Sequence, residues 1–155
     1  MTGVTWDFRG MLVAVTGGTR GIGLGIAEAF AGAGATVWMG SRDATVGEAA
    51  AQRLQANGRA VRFHPLDVAD GASVRAFQDA CLREAGRMDL LVNNAAVMAR
   101  KALLETSVEE CDQMLAVNVK GLVLCCQAVG ETMIAARHGH IINISSTSSA
   151  AAARN

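Results

Sequence analysis

Met11-Leu12-Val13-Ala14-Val15-Thr16-Gly17-Gly18-Thr19-Arg20-Gly21-Ile22-Gly23 is the stretch from which the rest of the chain can be read. A short apolar run rich in valine enters a turn of four glycines, and the residues after it have helical period, with Ile22, Ile26, Phe30 and Ala33 on one face. A strand, a glycine turn and a helix start bring backbone N–H groups and the positive helix end to one point, where a pyrophosphate can sit. Glycine suits that turn because a Cβ would hold the phosphate away or forbid the backbone conformation. The pattern is not G-x-G-x-x-G, since Ile26 takes the last place. It is not a P-loop either, since Leu24 stands where a lysine is required.

Outward from this turn, apolar runs alternate with helical stretches. Strands are expected at about Met11 to Thr16, Thr36 to Gly40, Ala60 to Leu66, Met88 to Asn93 and Gly139 to Ser145, each apolar enough to be buried on both faces. The βαβα order predicts a doubly wound α/β fold, a parallel sheet with helices on both faces. Val74, Phe77 and Cys81 form a second packing stripe. Thr45 with Glu48 and Ser107 with Glu110 have capping-box spacing, so helices are expected to begin there and at Asp70. From Val108 to about Arg137, apolar residues recur at Leu115, Leu122, Cys126, Val129 and Met133, which reads as one long helix or two in tandem. No repeat or proline-rich linker divides the chain, so residues 1–155 read as one domain. The Ser/Thr/Ala-rich end from Ser145 to Asn155 is not expected to add a core element.

The 155 residues are 51% hydrophobic and 18% charged, which excludes a disordered chain and allows a sizeable core. Fourteen basic against fourteen acidic residues and no basic stripe argue against nucleic acid and anionic membranes. The apolar run Met11 to Val15 is far too short for a leader or a span. Cys81, Cys111, Cys125 and Cys126 have no C-x-x-C spacing and read as reduced thiols of a cytoplasmic protein. No metal site is expected: His138 and His140 lack carboxylate or thiolate company and read as surface residues, as does His64.

Thr16-Gly17-x-x-x-Gly21-x-Gly23 resembles the fingerprint of the short-chain dehydrogenase/reductase family, and four further motifs follow in the family's order. Asp67-Val68 looks like its adenine-contacting pair. Asn93-Asn94-Ala95-Ala96 looks like its Asn-Asn-Ala-Gly motif, with Ala96 departing at the glycine. Asn118-Val119-x-Gly121 matches its structural and proton-relay asparagine, and Ile141-Ile142-Asn143-Ile144-Ser145-Ser146 matches its fifth strand and catalytic serine. Residues 10–150 carry the likeness, with members resembling 3-oxoacyl-carrier-protein reductases. The resemblance implies hydride transfer between a nicotinamide nucleotide and a secondary alcohol or ketone. Thr16, Gly17, Thr19, Arg20, Gly21, Ile22, Gly23, Ser41, Arg42, Asp67, Val68, Asn94, Ala95 and Ala96 would hold the nucleotide. Ser146 would polarise the carbonyl, and Asn118 would hold a water.

An acidic residue at the end of the second strand holds a free ribose 2′-hydroxyl in this kind of fold. Gly40-Ser41-Arg42 occupies that place, and Arg20 lies inside the glycine turn, so NADP(H) is expected over NAD(H). The resemblance also implies a tyrosine about thirteen residues after the serine and a lysine four residues later. The sequence contains no tyrosine and ends nine residues after Ser146. Three readings follow: the amino-terminal part of an oxidoreductase, inactive by itself; a nucleotide-binding module that reduces nothing; or an interaction protein. The third would pair with another copy or a complementary chain through an exposed fifth strand and the helix around Leu122 to Met133, which the family packs between subunits.

Overall fold

The computed structural model describes residues 5–146, and the serine- and alanine-rich residues after Ser146 lie outside them. Five strands form one parallel sheet in the order β3-β2-β1-β4-β5, with β1 Leu12–Thr16, β2 Thr36–Ser41, β3 Val61–Pro65, β4 Leu90–Asn93 and β5 His140–Asn143. Val15 pairs with Met39 and with Val92, which aligns the carboxyl ends of the three central strands. Every strand falls inside or within one residue of the run that predicted it.

Alternation along β1 sends side chains to two cores. Leu12 and Ala14 join Phe77, Cys81, Cys125 and Val129 on one side; Val13 and Val15 join Ala27, Ala31, Ala51 and Leu54 on the other. Helices α1 Gly21–Gly32 and α2 Ala44–Ala56 cover the second side. Helix α3 Gly71–Ala85 and a long helical stretch from Val108 cover the first. Burial on both faces holds for β1 and β4 but not for β5, whose four residues are all exposed. β5 is the sheet's outer strand among the described residues, so only β4 pairs with it.

Three expectations about helices are corrected. The buried stripe of α1 is Gly23, Ala27 and Ala31, and Ile22 is 72% exposed. The helix lies so close to the sheet that small side chains make the contact, and the larger ones flank it. Helix α2 begins one residue before Thr45: the Asp43 carboxylate accepts from Val46 N at 3.0 Å, so Thr45 and Glu48 form no capping box. Ser107 and Glu110 do form one, at 3.2 and 2.9 Å, and Asp70 caps α3.

The third correction concerns the stretch after Ser107. Helix α4 Val108–Leu115 runs into a π-helical segment, Ala116–Gly121, and then α5 Leu122–Ala136. The wider turn shifts the buried set to Val117, Gly121, Cys125, Val129 and Met133, leaving Leu115 exposed. At 29 residues this stretch is long and apolar enough to cross a bilayer by length and composition. Here it covers the sheet, with the Gln78 side chain of α3 donating to Ala128 O.

The opposite end of the sheet is fastened by Asp89, 0% exposed. Its carboxylate accepts from Leu12 N at 2.7 Å and pairs with Arg87 at 2.8 Å and His138 at 3.2 Å, while its carbonyl accepts from His140 N. His138 is thus a surface residue with one buried partner.

Candidate functional site

The carboxyl ends of the central strands open into a cleft of about 530 Å³, within the roughly 300–1,000 Å³ usual for ligand sites. Its floor is the glycine turn. Gly17 and Gly21 have φ of 63° and 53°, the left-handed region that side chains rarely enter. Gly17 N and Gly18 N both donate to Gly40 O, at 2.8 and 3.4 Å, tying the turn to β2. Below it, the buried Thr16 hydroxyl accepts from Asn94 N and Ala95 N, each at 3.0 Å. Asn94 Nδ2 donates back to Thr16 O and Gly17 O at 3.0 and 3.1 Å. Thr16 is therefore a joint beneath the cleft, whereas Gly17, Gly21 and Gly23 line it.

Helix α1 starts at this floor with no side-chain cap from Arg20 and no acidic residue in its first turn. Its first amides have no carboxylate competing for them, so the chain fits the pyrophosphate of a dinucleotide. Thr19, Arg20 and Ile22 complete this side of the cleft. Asn94, Ala95 and Ala96 form the wall after β4. Ala96 has no positive φ, so the alanine at the motif's glycine place sits there without backbone strain.

At the end of β2, Thr19 Oγ1 donates to Ser41 Oγ at 3.1 Å, and Ser41 Oγ donates to Asp43 O at 3.4 Å. The Ser41 hydroxyl therefore holds the corner together, while the exposed Arg42 beside it lines the cleft with Arg20. Asp67 and Val68 line the far end. Asp67 is set by a tight turn: its N donates to Ser73 Oγ at 2.9 Å and its Oδ1 accepts from Ala69 N at 3.0 Å.

Besides Thr16, two predicted residues stand outside the cleft lining. Asn118, in the π-helical segment, spends both ends of its amide on one residue: Oδ1 accepts from Val97 N at 2.9 Å and Nδ2 donates to Val97 O at 2.8 Å. Its side chain clamps the loop after β4. Ser146 is exposed, three residues past β5. Asp43, Val46, Leu66 and Val117 also line the cleft and were not expected there, and Val97 lines it too. For Leu66 a signal exists, because Ser41 pairs with Pro65 and places the next residue at the same sheet end. Among the described residues no group of three or more His, Cys, Asp or Glu side chains could hold a metal.

Residues 11–154 match the family described as short chain dehydrogenase. This chain belongs to the short-chain dehydrogenase family. It is 43% identical over 145 residues to the D-threitol dehydrogenase of Mycolicibacterium smegmatis, covering 92% of this chain and 56% of that one. It is 41% identical over 133 residues to the 3-oxoacyl-[acyl-carrier-protein] reductase FabG of Chlamydia trachomatis, covering 85% and 54%. Among solved structures, a gluconate 5-dehydrogenase from Burkholderia cenocepacia in complex with NADP and tartrate superposes with a TM-score of 0.88 at 36% identity, covering 96% of this chain and 58% of that one. A metagenomic short-chain oxidoreductase in complex with NADP gives 0.83 at 38%, covering 90% and 63%. The chain spans about half the length of the curated short-chain dehydrogenases it matches. The doubly wound sheet and its nucleotide cleft are what this family shares.

Proposed function

We propose that residues 1–155 are the dinucleotide-binding part of an NADP(H)-dependent oxidoreductase acting on a secondary alcohol and its ketone. The observation that carries the preference is at the end of β2, where Ser41 stands in place of a carboxylate and Arg20 and Arg42 line the same cleft. NADP in the complexes of two similar structures supports it. The glycine turn and the α1 amides bind the pyrophosphate, Asp67 and Val68 the adenine, and Asn94 to Ala96 the nicotinamide side. The nucleotide, when bound, gives or takes the hydride. Ser146 orients the carbonyl, and Asn118 fixes the loop through Val97. A positioned general acid is worth about 10²–10⁴ in rate. These residues contain no tyrosine to supply it, so by themselves they bind nucleotide without turnover. We place the chain in the cytoplasm, with its cysteines reduced. The exposed apolar residues Leu115, Val119, Val123 and Ile134 of the long helix suit pairing with a second copy or a complementary chain.

The test is fluorescence titration with NADPH and NADH. The wild-type chain should bind NADPH at least about tenfold tighter, since a charge-assisted hydrogen bond contributes about 1.5–3 kcal/mol. Arg42→Ala should remove about tenfold of NADPH affinity and leave NADH nearly unchanged. An NADPH affinity indifferent to Arg42→Ala overturns the assignment.

A further inference from the structure

The corner of the cleft proposed for the 2′-phosphate holds one anion as well as two cations. Asp43 lines it together with Arg42 and Arg20. Its position is fixed from three directions. The carboxylate Oδ1 accepts from Val46 N at 3.0 Å as the cap of α2. Its carbonyl accepts from Gly47 N at 3.0 Å and from the Ser41 hydroxyl at 3.4 Å, and Ser41 in turn accepts from Thr19 of the glycine turn. A cap bond uses one carboxylate oxygen and leaves the charge in place.

We propose that Asp43 is a specificity-determining residue: its fixed negative charge opposes the 2′-phosphate, so the chain holds NADPH less selectively than its two arginines alone would allow. The proposal rests on the placement of the 2′-phosphate between Arg20 and Arg42. A phosphate monoester carries close to two negative charges at neutral pH, so a carboxylate sharing its pocket repels it. The ribose 2′-hydroxyl of NADH carries none. The effect therefore appears in the ratio of the two affinities. It also fades with salt, because the corner is open to solvent and screening reaches about 8 Å at physiological ionic strength.

Asp43→Asn isolates the charge, since asparagine caps a helix as well as aspartate does. On the full 155-residue chain, Asp43→Asn should tighten NADPH binding about threefold to fivefold at low salt, within the range measured for exposed charge pairs. NADH binding should stay within about twofold, and the NADPH gain should shrink at about 0.5 M salt as screening shortens. Asp43→Ser, a neutral cap of different shape, should give the same ratio change. Three results overturn the proposal: equal gains for both nucleotides, a gain that salt does not reduce, or no gain while Arg42→Ala still loses NADPH. A lowered melting temperature in both Asp43 variants with an unchanged ratio also overturns it, assigning Asp43 to capping alone. If Arg42→Ala and Asp43→Asn both leave the ratio untouched, the placement of the 2′-phosphate itself has failed.

Discussion

Helix α1 offers two glycines two residues apart in sequence and opposite in surroundings, and exchanging each for alanine separates packing from propensity. A Cβ on Gly23 would overlap the Gly17 carbonyl oxygen and Asn94 Nδ2, and would stand 2.9 Å from the Gly17 carbonyl carbon. The carbonyl is backbone in a turn held to Gly40, so it cannot swing aside. The Asn94 amide can move only by giving up its bonds to Thr16 O and Gly17 O. Each of those is worth about 1 kcal/mol net, and overpacking adds about 1–3 kcal/mol of strain. Alanine returns up to about 1 kcal/mol of helix propensity. Gly23→Ala should thus cost about 2–4 kcal/mol, lowering the urea midpoint by about 1–2 M. Because the displaced turn is the floor of the cleft, NADPH affinity should also fall at least about tenfold. A Cβ on Gly25 meets nothing within 4 Å, so Gly25→Ala should raise stability by about 0.5–1 kcal/mol and leave binding alone. Equal urea midpoints for Gly23→Ala and wild type, or equal losses in both variants, would refute the close approach of α1 to the turn.

Two further outcomes follow from buried groups. Thr16→Val leaves the half-buried Asn94 N and Ala95 N without this acceptor, at up to about 1–3 kcal/mol for each donor left unsatisfied. Thr16→Ser should recover most of that loss in urea melts, and a silent Thr16→Val would disprove the joint. Burial pushes the Cys81 and Cys125 thiols up to about 12 from 9.0, while Cys111 is exposed. Native protein treated with iodoacetamide at pH 8 should be labelled at Cys111 and spared at Cys81 and Cys125, as peptide mass spectrometry would show. The unfolded chain releases these protons near pH 9 and the folded chain only near 12. Their contribution to stability is therefore complete below about pH 9 and is lost as the pH rises toward 12.

The strands were legible because a run such as Leu12 to Val15, buried from both faces, leaves its signature in consecutive residues. The glycine turn was legible for the same local reason. What escaped the sequence depends on distance between elements. Periodicity marks Ile22, Ile26 and Phe30 as the inner face of α1, but the approach of that helix to β1 selects Gly23, Ala27 and Ala31 instead. Capping spacing is degenerate where a loop offers both Asp43 and Thr45, and the winner is set by where β2 ends. No pattern announces the π-helical segment, and the partner that occupies Asn118 lies 21 residues earlier. Asp43 and Val46 enter the cleft through the angle at which α2 leaves β2, which one-dimensional spacing does not encode.

The two halves of the proposed site are coupled through Asn93. This residue ends β4, is buried, and precedes the Asn94 that braces the glycine turn. Its Nδ2 donates to Asn143 Oδ1 at 2.9 Å, and its carbonyl accepts from Ile144 N at 2.9 Å. The segment leading to Ser146 therefore leaves the sheet from a point fixed by the same strand end that fixes the nucleotide wall. Ser146 lies three residues past β5, the outer strand of the described sheet, whose four residues are exposed. The bonds from Asn93 to Asn143 and Ile144 tie the start of that segment to the end of β4, which also leads into Asn94.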